Sequence, residues 1–114
     1  MTNNVNLLRG TILASGTLSA EIDLFDHVAV GLIYSGATNG TISFQVSHKP
    51  DAEGGTYVDL LGSNGVAVAV GPTAASGAVS GAVLEPLAPY RFVKVKLSIA
   101  QAGGVELLLP TKLN

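Results

Sequence analysis

The chain has 114 residues, of which 47% are hydrophobic and 12% charged, with a net charge of −2 at pH 7 and no cysteine. That length suits one domain. The scattered Lys and Arg exclude the basic patch of a nucleic-acid-binding protein, and the absence of cysteine excludes a disulfide framework and a Cys-based zinc site. Soluble domains carry about 25% charged residues, so a chain with roughly half that share is expected to hide part of its surface against other subunits.

Residues 1–8 are expected to be an arm, ordered only where something holds it, with Asn3, Asn4, Val5 and Asn6 available to a partner. The opening MTNNVNLLRG is too polar for a signal peptide. Residues 9–14 form a first strand. Residues 18–24, LSAEIDL, alternate, with Leu18, Ala20, Ile22 and Leu24 facing inward and Ser19, Glu21 and Asp23 outward. Phe25, Asp26 and His27 connect to residues 28–34, VAVGLIY, which are apolar almost throughout and predict a strand covered on both faces. Residues 35–40 form a turn in which Asn39-Gly40 tolerates positive φ.

The stretch 41–48, TISFQVSH, has period two, with Ile42, Phe44 and Val46 on one face. A Pro/Asp/Gly loop at 49–55 leads to a return strand at 56–61. Ser63-Asn64-Gly65 is a turn, and residues 66–70, VAVAV, are a strand. Residues 71–81 carry too little side chain for a core and predict an exposed loop or a short edge strand. Residues 83–89 return the chain, with Pro86 and Pro89 fixing the approach. The best-determined strand is 90–99, YRFVKVKLSI, with Val93, Val95, Leu97 and Ile99 inward and Phe92, Lys94, Lys96 and Ser98 outward. Residues 101–104 turn into a last strand at 105–109, which Pro110 closes, leaving 110–114 as a tail.

No segment reads as a helix. The uncharged run 60–84 could span a bilayer by length, but its glycines, Pro72 and polar residues argue against a membrane helix. About eight short strands separated by Gly, Pro and Asn turns predict an all-β domain over residues 9–109, an antiparallel β-sandwich or jelly roll.

No catalytic signature is present. His48 has no identifiable nucleophile to serve, and no G-x-S-x-G, P-loop or dinucleotide fingerprint occurs, so the chain is read as a non-enzyme without a cofactor. Asp23, Asp26 and His27 lack a spaced fourth ligand, and Asp51 and Glu53 fit no calcium-loop pattern, so both groups read as turn residues. The surface of most interest is the outer side of the 90–99 strand. Tyr90, Phe92, Lys94 and Lys96 together could contact an acidic partner or a glycan. The plainer expectation is that the rings lie under a loop while the lysines keep the face wet.

Taken in order, Phe44 and Ser47, then Gly54-Gly55-Thr56-Tyr57 with Leu60, then Tyr90, Phe92, Val93 and Val95 resemble the pattern of small β-sandwich structural proteins of tailed bacteriophages. The pattern is also similar to galactose-binding-like sandwiches of the discoidin type, and it covers about residues 18–109. The phage resemblance implies a virion component at the capsid surface, a cement or decoration protein that bridges major capsid subunits, often as a homotrimer. It leaves open a subunit of a tail, neck or fibre, or a carbohydrate-binding module. The 71–81 segment is richer in Gly and Ala than that pattern, and no sugar-binding residue set carries over.

Overall fold

The computed structural model describes residues 5–25, 27–36, 40–71, 73 and 76–113. Asn3, Asn4, Asp26, Asn39 and Pro72, each named in the sequence reading, lie outside them. Among the described residues ten strands are formed: β1 (Val5–Ile12), β2 (Ile22–Asp23), β3 (His27–Ala29), β4 (Gly31–Ser35), β5 (Ile42–Ser47), β6 (Val58–Asp59), β7 (Ala69–Val70), β8 (Ser76–Ser80), β9 (Phe92–Leu97) and β10 (Val105–Leu113). One antiparallel sheet has the order β1-β10-β4-β8, with β3 also on β10; the other has the order β2-β9-β5-β6, with β7 also on β5.

Two pairs of these segments are single strands with an interruption. On β10, Leu108 faces Ile33 while Thr111 faces Ala29, so the register slips by one residue between β4 and β3. Val30 is the extra residue, and its N–H donates to the carbonyl of Pro110 at 2.9 Å. Proline has no N–H for the ladder, and a β-bulge opposite it absorbs the deficit. On β5, the Leu60 N–H reaches the Phe44 carbonyl, and Ala69 faces Ser43. Residues 61–68 loop out between them, closed by the Leu61–Ala67 bridge and the Gly62 N–H to Val66 carbonyl bond. With β3–β4 and β6–β7 each read as one, eight strands lie in the orders 1-8-3-6 and 2-7-4-5. The chain changes sheet at every step but one, which is the winding of a jelly roll. The expected antiparallel sandwich of about eight strands is the fold.

The core forms where the inner faces meet. Ile42, Phe44 and Val46 of β5 and Val93, Val95 and Leu97 of β9 pack against Leu32, Tyr34, Leu107 and Leu109 of the other sheet, all buried. The 83–89 approach, expected to be non-helical, winds instead into a four-residue helix, α1 (Gly81–Leu84), and a 3-10 turn over Glu85–Leu87. Leu84 and Leu87 are fully buried, so the turn serves as a plug over an open end of the sandwich.

Five local expectations are corrected. Residues 5–8, assigned to an arm, belong to β1 and pair with Lys112 through Leu109; Pro110, expected to close the last strand, lies inside it. In 18–24 only Ile22 and Leu24 face inward as expected, while Ser19 is buried and Leu18 and Ala20 are exposed. Leu18 faces Lys96 but Ile22 faces Val93, so one extra residue between them flips the face. The 28–34 run is covered on one face alone, with Ile33 46% exposed on the other. Ile99 is 49% exposed, because it lies beyond the end of β9 at Leu97, one residue past the last ladder bond, from the Ser98 N–H to the Thr41 carbonyl.

Candidate functional site

The outer side of the β2-β9-β5-β6 sheet was the surface singled out by sequence, and the structure divides it. Lys94, on β9, forms an ion pair with Asp51 at 2.9 Å and lies 4.3 Å from the centre of the Tyr57 ring. Asp51 opens the 3-10 turn Asp51–Glu53 that Pro50 introduces and Gly54 ends at φ 76°. Its N–H donates to Glu21 Oε2 at 2.7 Å, and the Tyr57 hydroxyl donates to the same oxygen. Glu21, Tyr57, Asp51 and Lys94 therefore form a closed polar ring that fastens the 49–55 loop to the sheet. Burial pushes the Tyr57 hydroxyl pKa well up, and the Glu21 hydrogen bond and nearby carboxylate charges push it further.

A second cluster stands at the start of β9. The Arg91 guanidinium holds Asp23 in a two-pronged contact, Nε to Oδ1 at 2.8 Å and Nη2 to Oδ2 at 2.9 Å. It also lies 4.7 Å from the Phe25 ring centre and 4.9 Å from that of Phe92. That grip holds the Asp23 carboxyl below its ordinary value; partial burial opposes the shift, and the Phe25 N–H donated to Asp23 adds to it.

Tyr90, Phe92, Lys94 and Lys96 thus differ in exposure and in what they touch. Phe92 is 5% exposed. Tyr90 precedes β9, is half-buried against the core and stands 5.2 Å from the His48 ring, centre to centre. Lys94 is engaged by Asp51, and Lys96 stands exposed opposite Ser43. Of the expected arm contacts, Val5 and Asn6 pair through their backbones with Lys112 and Thr111. Sequence reasoning placed Glu21 and Asp23 outward but missed their partners. Glu21 is 36 residues from Tyr57 and Asp23 is 68 from Arg91, separations with no periodic signal.

An apolar surface lies on the other sheet. Leu7 on β1, Leu108 and Pro110 on β10, Ile33 on β4 and Ala78 on β8 stand on its outer side, in adjoining rows set by the pairings Leu7–Pro110, Arg9–Leu108, Leu108–Ile33 and Ile33–Ala78. Leu7, Ile33 and Ala78 are exposed, and Leu108 and Pro110 are half-buried among them. Sequence reasoning missed this surface by covering residues 28–34 on both sides.

No protein-family model and no curated protein matches the chain. The class rests on the fold itself, an antiparallel β-sandwich wound as a jelly roll.

Proposed function

We propose that this protein is a structural subunit of a bacteriophage particle, a cement or decoration protein that sits on the capsid surface and bridges major capsid subunits. The observation that carries the reading is the apolar outer side of the β1-β10-β4-β8 sheet, in a chain with 12% charged residues. A bridging subunit acts by burying area across a junction between neighbours, and it needs a rigid body with few charges at its contacts. Jelly rolls recur in viral capsid and lectin domains, and the resemblance in β5, the 49–55 loop and β9 favours the virion over the lectin. The glycan reading requires an aromatic platform. Phe92 is buried and Tyr90 lies against the core, while Phe25, 63% exposed, is overlain by Arg91.

The test is add-back to particles. Purified protein should bind assembled capsids that lack it and raise the temperature at which they release DNA. Binding to isolated tails in place of capsids moves the protein to a tail, neck or fibre. Binding to neither, with retention on a glycan array, replaces the structural reading by the carbohydrate module.

A further inference from the structure

We infer that the outer side of the β1-β10-β4-β8 sheet is a two-fold contact between copies of this chain, with β10 of one copy lying antiparallel on β10 of the other. The inference draws on the same apolar side as the structural-subunit reading, covers it with a second copy of the chain in place of the expected trimer, and leaves the capsid contact to other surfaces.

The pattern on β10 carries it. Inward residues of this strand alternate with the outward row Glu106, Leu108, Pro110 and Lys112. The row is acidic at one end, basic at the other and apolar between. Neither Glu106 nor Lys112 makes an ion pair with a described residue. Six residues of strand separate them by about 20 Å. Sheets stack face to face about 10 Å apart, a gap that Glu and Lys side chains from opposite copies can close. Two orientations bring this sheet onto its own copy. With the axis along the strands, β10 lies parallel on its mate and Glu106 meets a second Glu106. With the axis across the strands, β10 lies antiparallel, and Glu106 of each copy meets Lys112 of the other. Charge therefore selects the second arrangement.

The neighbouring strands fit the same axis. Each strand lies on its own mate, so Leu108 meets Pro110, Ile33 meets Gly31, Ala78 meets Ser80, and on the edge strand β1 Leu7 meets the aliphatic stem of Arg9, whose guanidinium reaches water at the rim. Contacts of this isologous kind are the commonest in soluble homo-oligomers. The apolar centre and charged ends match the core and rim of a protein interface.

The experiment is a charge-swap series followed by sedimentation equilibrium at low salt, where exposed charge pairs are least screened. Both positions are exposed, so the variants should fold, which circular dichroism checks. The wild-type chain should dimerise. Glu106→Lys and Lys112→Glu should each weaken association about tenfold, because each sets like charges together at both ends. Combining the two substitutions should restore association to about the wild-type value. A wild-type chain that stays monomeric at high micromolar concentration overturns the inference. So does an oligomer indifferent to the single changes, or a double variant no better than either single one. Capsid binding by a chain that remains monomeric would sink this contact while leaving the structural role intact.

Discussion

Ser19 stands in for backbone on the edge of β9. Its Oγ accepts the Val95 N–H at 2.8 Å, and its own N–H donates to the Val95 carbonyl at 2.8 Å. The side-chain bond satisfies a donor that the bulge before β2 would otherwise orphan in a buried place. Ser19→Ala leaves that donor unpaired and should cost about 1–3 kcal/mol. Chemical denaturation measures it; an unchanged midpoint would mean that the Val95 N–H finds another partner.

The Arg91–Asp23 contact sets an acid limit. Asp23 keeps its charge to lower pH in the fold than at its ordinary value of 3.8. The stability it contributes is present above that value and is lost as pH falls through the folded one. Asp23→Asn should flatten this part of the acid limb, seen in urea midpoints between about pH 2 and 5. Arg91 is half-exposed, so the effect at neutral pH should stay under about 1 kcal/mol.

Tyr57 acts at the opposite end of the pH scale. Its hydroxyl holds its proton more tightly in the fold than in the unfolded chain, where the ordinary value is 10.0. The associated stability is present below that value and falls as pH rises toward the folded one. Tyr57→Phe should make alkaline unfolding shallower. The ionisation step that Tyr57→Phe removes from the ultraviolet absorbance titration should lie above pH 10.0. A missing step centred at the ordinary value would remove the Glu21–Tyr57 bond from the account.

Gly77 makes room for a ring. It pairs with Tyr34 across β8 and β4, and a Cβ there would lie 2.5 Å from Tyr34 Oη. Gly77→Ala should cost about 1–3 kcal/mol through the displaced ring. Gly103→Ala is the control, since nothing lies within 4 Å of its added carbon, and its melting temperature should barely move.

The strands most legible in the sequence were β5 and β9, where strict alternation records one wet and one dry side, and the pairing of Phe44 with Val95 joins them. Legibility failed where the backbone breaks its own period. A bulge in residues 18–22 moved Ser19 inward, and Pro110 runs through a strand because Val30 bulges opposite it. Residues 28–34 misled for a different reason. An apolar outward side chain such as Ile33 reads the same whether its cover comes from this chain or from another. At the candidate site, Lys94 was legible as an outward cation. Its partners Asp51 and Tyr57 arrive from the 49–55 loop and from the residue just before β6, whose positions only the folded chain defines.

The pairing of β1 with β10 carries a cost in time. During synthesis the ribosome makes β10 last of the described strands, yet that strand lies inside its sheet and, among the described residues, alone joins β1 to the β4–β8 pair. Until it emerges, those earlier strands wait as separate pieces with open edges. Completion must then bring together residues as distant as Val5 and Lys112. Such non-local closure folds over milliseconds to seconds, and strands that wait in the open are exposed to aggregation. A cell making this protein in quantity should therefore need chaperone protection for the nascent chain more than for the finished fold.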